Sequence, residues 1–154
     1  MQRTIPKDQQ SRKISYPDES FQNVIITQWE EDEISNEKGQ AVRVRASFKL
    51  GAIEIKRTLF FPMDRLWSLE HWYIAAGLKP TESEYGKVYQ TDEMIGKTIK
   101  AFIYKDTSGY LTIGKTPPYA DEKLEDYKKR NQWWLNRERP QKQEEDEAGE
   151  PLPL

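Results

Sequence analysis

Apolar and polar positions alternate through two neighbouring runs, Ala41 to Leu50 and Ala52 to Phe61, hinged at Gly51. In the first run Val42, Val44, Ala46, Phe48 and Leu50 share one side. Arg43, Arg45, Ser47 and Lys49 share the other, because successive side chains of a strand point to opposite faces. A period of two marks a half-buried strand. The second run sets Ile53 and Ile55 against Glu54 and Lys56, until Arg57 blurs the alternation ahead of Leu59, Phe60 and Phe61. Together the runs predict a hairpin with an apolar inner face, on which Phe48 belongs, and a basic outer face.

The flanking segments predict the remaining elements. Residues 21 to 33 form an earlier strand, with Val24 and Ile26 facing in and Ile25 and Trp29 on the opposite side; Asn36-Glu-Lys-Gly39 then turns the chain back. After the hairpin, Pro62 suits the first position of a helix over 62 to 76, Asp64 suits its first turn, and Gly77 suits its C-terminal cap. Met63, Leu66, Leu69, Tyr73 and Ala76 fall on one face of that helix, with Arg65 and Trp72 on its shoulder. Glu70 intrudes on the apolar face, and His71 lies opposite it, at the surface. A polar loop over 78 to 92 precedes two closing strands, Lys97 to Lys105 and Tyr110 to Lys115, joined by the turn Asp106 to Gly109. Residues 120 to 139 read as one polar helix with Leu124, Tyr127 and Trp134 on one side, docked on the strands.

Five short strands with a helix between the third and fourth predict a mainly-β protein, an OB-fold-like five-stranded barrel that disposes of its sheet edges by partial closure. An SH3-like barrel and a split α+β sandwich are the alternatives. The chain divides into a flexible basic arm (1–19), the barrel (20–117), a C-terminal helical extension (118–140) and an acidic disordered tail (141–154).

Composition narrows the chemistry. Five Trp and eight Tyr in 154 residues exceed what a small core obviously requires, and the absence of Cys excludes disulfides and thiolate sites. The formal net charge of −2 conceals a division: residues 41 to 115 hold twelve Lys/Arg against eight Asp/Glu, whereas the tail is acidic. His71 is the one histidine, the run Glu30 to Glu33 lacks the spacing of a calcium loop, and no phosphate-binding glycine pattern is present. Neither catalysis, a metal nor a cofactor is therefore expected. With no signal-like segment and no 18-residue apolar span, the expected compartment is the cytoplasm, without membrane contact.

Binding a single-stranded nucleic acid requires cations along the phosphates and flat rings under the bases. The outward residues Arg43, Arg45, Lys49 and Lys56, with Arg57 beside them, supply the first, and Lys100 extends the basic surface. Trp29, Phe60, Tyr104 and Tyr110 lie on or next to the strands that supply the second, whereas Phe102 is divided between core and surface by its neighbours Ile99, Ala101 and Ile103.

The segment Val24 to Glu33, the strand pair around Arg43-Val-Arg45 and Lys56-Arg-Thr-Leu-Phe60, the helix ending Ile74-Ala-Ala-Gly-Leu78, and the runs Asp92 to Lys100 and Tyr110 to Lys115 come in a telling order. In that order they resemble phage-encoded single-stranded DNA-binding proteins of the OB-fold kind, over about residues 20 to 117. The resemblance implies protection of single strands during phage replication or recombination in a bacterial host. The tail is similar to those of cellular single-stranded DNA-binding proteins. That likeness implies that Glu144, Glu145, Asp146, Glu147, Leu152 and Leu154 contact a recombinase or polymerase; the acidic block is also expected to compete with DNA for the basic surface. A homo-oligomer stays open. The rival reading is a non-catalytic protein-interaction module on the same barrel, anchored by Trp133 and Trp134.

Overall fold

The computed structural model describes residues 19–140 together with Gln2. The basic arm and the acidic tail, including Glu144, Glu145, Asp146, Glu147, Leu152 and Leu154, lie outside the described residues. Strands β1 (Ser20–Asn36), β2 (Gly39–Leu50) and β3 (Ile53–Pro62) follow one another as antiparallel hairpins. The first turn is set by Asn36, whose side-chain oxygen accepts the Lys38 N–H at 2.8 Å. The second is a two-residue loop with Gly51 at φ +61°, and among the described residues Ala52 has no positive φ, the pattern of a type II′ turn.

A 3₁₀ turn, Met63–Arg65, leads into α1 (Trp67–Ala75), and Gly77 ends the helix at φ +83°. The polar loop carries a small exposed hairpin, β4 (Thr81–Ser83) and β5 (Gly86–Val88), that the sequence pattern does not disclose. Glu70, the misfit of the helix, anchors this excursion: its carboxylate accepts the Tyr89 hydroxyl at 2.6 Å and meets Lys87 Nζ at 3.4 Å. Burial and that hydrogen bond push the Tyr89 phenol up to about 12.

Strands β6 (Thr98–Lys105) and β7 (Leu111–Ile113) complete a sheet of order β3-β2-β1-β6-β7, and β3 approaches β7 to close it nearly into a barrel. The protein is thus mainly β, a nearly closed five-stranded antiparallel barrel resembling an OB-fold, with α1 between its third and fourth strands. Its interior holds Val24, Ile26, Val44, Phe48, Leu59, Ile99, Ile103 and Ile113. At one end Trp72 seals it, with ring centroids 5.8 Å from Trp29 and 5.7 Å from Phe48. Such pairs add about 0.5–1.5 kcal/mol each beyond buried area.

The expected C-terminal helix is two, α2 (Leu124–Arg130) and α3 (Gln132–Glu138), broken at the buried Asn131. They cover the outer face of β6. There Phe102, Tyr104, Tyr127, Trp134 and Leu135 form a second core outside the barrel. Phe102 is therefore buried, yet beneath the helices and not inside the barrel. Gly114 permits this approach, because a Cβ at that position would stand 2.4 Å from the Tyr127 hydroxyl and 3.3 Å from Trp134. Gly114→Ala should displace Tyr127 from the Thr116 carbonyl it donates to and cost roughly 1–3 kcal/mol, read as a lowered denaturation midpoint.

Carboxylates tie this outer layer down. Glu19, which holds a strained φ of +57°, accepts from Arg139 at 2.8 Å and pairs with Lys128 at 2.7 Å. Glu122 chelates Arg130 through 2.8 and 2.9 Å contacts.

Candidate nucleic-acid interface

The C-terminal helices leave the outer face of β2 and β3 open. Antiparallel register places Arg43 beside Phe60, Arg45 beside Thr58, Ser47 beside Lys56 and Lys49 beside Glu54. Directly opposed residues of neighbouring strands share a face, so Arg43, Arg45, Lys49 and Lys56 do stand on one outer surface. Arg45, Lys49 and Lys56 are exposed, and among the described residues none of the three enters an ion pair. Gln28, Arg45, Ala46, Ser47, Lys56, Arg57 and Thr58 line a shallow depression of about 310 Å³, in which the buried Ser47 hydroxyl donates to Gln28 at 2.9 Å. Its exposed polar side chains are Arg45, Lys56 and Thr58.

Arg43 differs from its neighbours. It grips Asp32 of β1, with Nε 3.1 Å from one carboxylate oxygen and Nη2 bonded to the other. The hydrogen bond from Arg43 holds the Asp32 carboxyl below its ordinary value. Glu30 lies in register with Arg45, so an acidic edge on β1 borders the cationic strip. That edge confines the strip to β2 and β3.

Three residues expected at the interface are elsewhere. Trp29 is 5% exposed, because Thr27 has no register partner on β2 and this one-residue bulge reverses the parity of everything after it. The indole therefore points into the barrel end, not outward beside Ile25. Tyr104 is fully buried under α3: its hydroxyl donates to Glu138 at 2.7 Å and accepts from Arg57 at 2.8 Å. Burial, with the bond to Glu138, pushes its phenol well up. Arg57 faces inward in register with Ala46 and crosses the seam between β3 and β7 to donate to the Ile113 carbonyl at 2.8 Å and to Glu138 at 2.7 Å. The break in alternation at Arg57 is this seam, not an outward cation.

The other candidates are accessible but dispersed. Phe60 is 57% exposed beside Arg43, and Tyr110 is 73% exposed on the β6–β7 turn. Lys100 is exposed on β6, across β1 from the strip, with Nζ 4.9 Å over the Phe21 ring.

Sequence reasoning missed a second concavity. A groove of about 420 Å³ runs between the β3–α1 connection and the C-terminal helices, lined by Phe60, Arg65, Trp67, His71, Lys115, Tyr119, Arg130 and Trp133 among others. Trp67 and Trp133 are exposed within it, and Trp134, paired with Trp133 in the sequence, is buried. Nothing in the linear spacing brings Trp67 to Trp133; only the docking of α3 does. His71 is half-buried here and not a surface residue, stacked 4.5 Å from Tyr119, with Nδ1 3.1 Å from the Thr116 hydroxyl. Burial, aided by Arg130, holds its imidazole below the ordinary value, so it is neutral at pH 7.

Among the described residues no group of three or more His, Cys, Asp or Glu is placed to hold a metal ion, and no helix is long and apolar enough to cross a membrane. No family model, no curated protein and no solved structure matches the chain.

Proposed function

We propose that the protein binds single-stranded DNA without sequence preference across the outer face of β2 and β3, in phage DNA replication or recombination. The observation that carries this reading is the open strip of Arg45, Lys49 and Lys56, which ends at the exposed ring of Phe60. Cations track the backbone and the ring stacks a base, and neither recognises base identity. The barrel architecture, which in general serves both nucleic-acid and protein contacts, is compatible with it. The rival protein-interaction reading is weaker because its proposed anchor is split: Trp134 is buried and Trp133 alone is exposed.

Fluorescence anisotropy of a labelled oligo-dT provides the test. Saturable binding is expected at low salt, with log affinity falling against log salt at a slope of about −2 for three neutralised phosphates. Absence of saturable binding at about 50 mM salt, a concentration at which phosphate contacts are strong, would rule the reading out. A parallel titration with oligo-rU measures the preference between DNA and RNA.

A further inference from the structure

We infer that the groove between the β3–α1 connection and the C-terminal helices is a second base-binding subsite, on which a single strand leaving the sheet at Phe60 continues between Trp67 and Trp133. The inference rests on the single-strand reading of the β2–β3 face and extends it to a site that the sequence did not point to.

Isolated exposed rings are ordinary on protein surfaces, but Phe60, Trp67, Tyr119 and Trp133 converge on one concavity, each more than half exposed. Tyr119 serves as a fixed wall, because His71 stacks on it and the Arg130 guanidinium lies 4.3 Å from its centroid. Phe60, Trp67 and Trp133 offer ring surface to a ligand. Phe60 belongs both to this groove and to the row of Arg43, so the two surfaces meet without a gap.

The charge also suits a polyanion. None of the residues that line the groove is acidic, whereas Arg65, Lys115 and Arg130 do line it. Arg130 is matched by Glu122. Lys115 and Arg57 share the single carboxylate of Glu138, which leaves an excess of positive charge at that edge. Among the described residues the ion-pair partner of Arg65 is Asp64 at 3.8 Å, and both side chains are largely in water, so that pairing is weak. Lys115 Nζ and the Arg137 guanidinium lie 5.7 and 5.8 Å from the Trp133 ring centroid, placing cations beside a stacking platform. A ring flanked by cations is what a nucleotide requires. An apolar peptide would have no use for the charges.

Tryptophan emission tests the proposal directly. Trp29, Trp72 and Trp134 are buried, so the indoles a ligand can reach are Trp67 and Trp133, and both line the groove. Saturating oligo-dT should quench the emission of the full chain, and the quench should vanish in W67A/W133A. That variant should bind oligo-dT at least about 10-fold more weakly, given the usual contribution of one stacked base, with the salt slope unchanged because no phosphate contact is lost. W67F/W133F, which keeps two rings, should restore most of the affinity, and an unchanged melting temperature excludes misfolding. If the native chain binds oligo-dT while W67A/W133A binds equally well, the groove lies off the path and the proposal fails, although the β2–β3 reading survives. Failure of the native chain to bind removes both. Self-association that is abolished by W67A/W133A while oligo-dT affinity is untouched would make the groove a contact between copies and also overturn it.

Discussion

Arg57→Ala should lower the stability of the protein by about 3 kcal/mol, measured as a shift in the urea midpoint. Removing one partner of a buried ion pair typically costs about 3–5 kcal/mol because the other charge is left without compensation. The low end applies, since the Arg57 side chain is 11% exposed but that of Glu138 is 28%. Three acceptors lose a donor at once: the Tyr104 hydroxyl, the Ile113 carbonyl and the Glu138 carboxylate, which keeps the Tyr104 hydroxyl and Lys115 at 3.2 Å as partners. Pairing the change with Glu138→Leu should not recover the loss, because it also strips the buried Tyr104 hydroxyl of its remaining partner and Lys115 of its carboxylate. Oligo-dT affinity of the folded fraction should stay within about 2-fold of the native value, because Arg57 is no phosphate contact; this departs from the roughly 5-fold expected of a cation that neutralises one phosphate at 0.1 M salt. The same cluster makes the fold acid-sensitive. Burial pushes the Glu138 carboxyl up, but the Tyr104 hydrogen bond and the Arg57 charge outweigh it and hold it below 4.5. Its contribution is full above 4.5, the unfolded value, and is lost as pH falls through the lower folded value.

Neutralising Arg45, Lys49 and Lys56 together to Gln should weaken oligo-dT binding about 100-fold at 0.1 M salt and flatten the salt slope by about 2. Each phosphate contact on a single strand contributes about 0.7 to that slope, so three cations account for both figures. The fold should be unaffected, because the three side chains are exposed and among the described residues make no ion pair. Arg43 is left out on purpose: its guanidinium is already engaged by Asp32 and must surrender that partner before it can take a phosphate. An unchanged slope in the triple variant would move the interface away from this face, and equal losses for duplex and single strand would remove the single-strand preference.

Strand periodicity made the barrel legible, since Val42, Val44, Phe48, Ile55 and Leu59 are buried as their spacing requires. It failed wherever one residue altered the phase or a distant element supplied the cover. Trp29 belongs to the first case: its side follows from counting through Thr27, which the strand does not count. Tyr104 and Phe102 belong to the second. Their outward parity was correct, but α2 and α3 turn that outer face of β6 into interior. In the sequence Arg57 is an irregularity without a cause, and the cause is a seam between strands that its bond to Ile113, 56 residues along the chain, crosses. The groove was illegible for the same reason: Trp67 and Trp133 meet only through tertiary docking.

Thr27 has a consequence for how this chain tolerates length change. Removing that one residue would let the register run without a break from Ile26–Phe48 to Gln28–Ser47 and leave the Trp29 indole facing inward. A neighbouring hairpin connection such as Glu37-Lys38 can accept an extra residue at the surface without changing which side any strand residue occupies. One-residue changes should therefore be harmless at the hairpin tips, and loss of Thr27, which is exposed and has no partner on β2, should leave every β1 side chain on its present face.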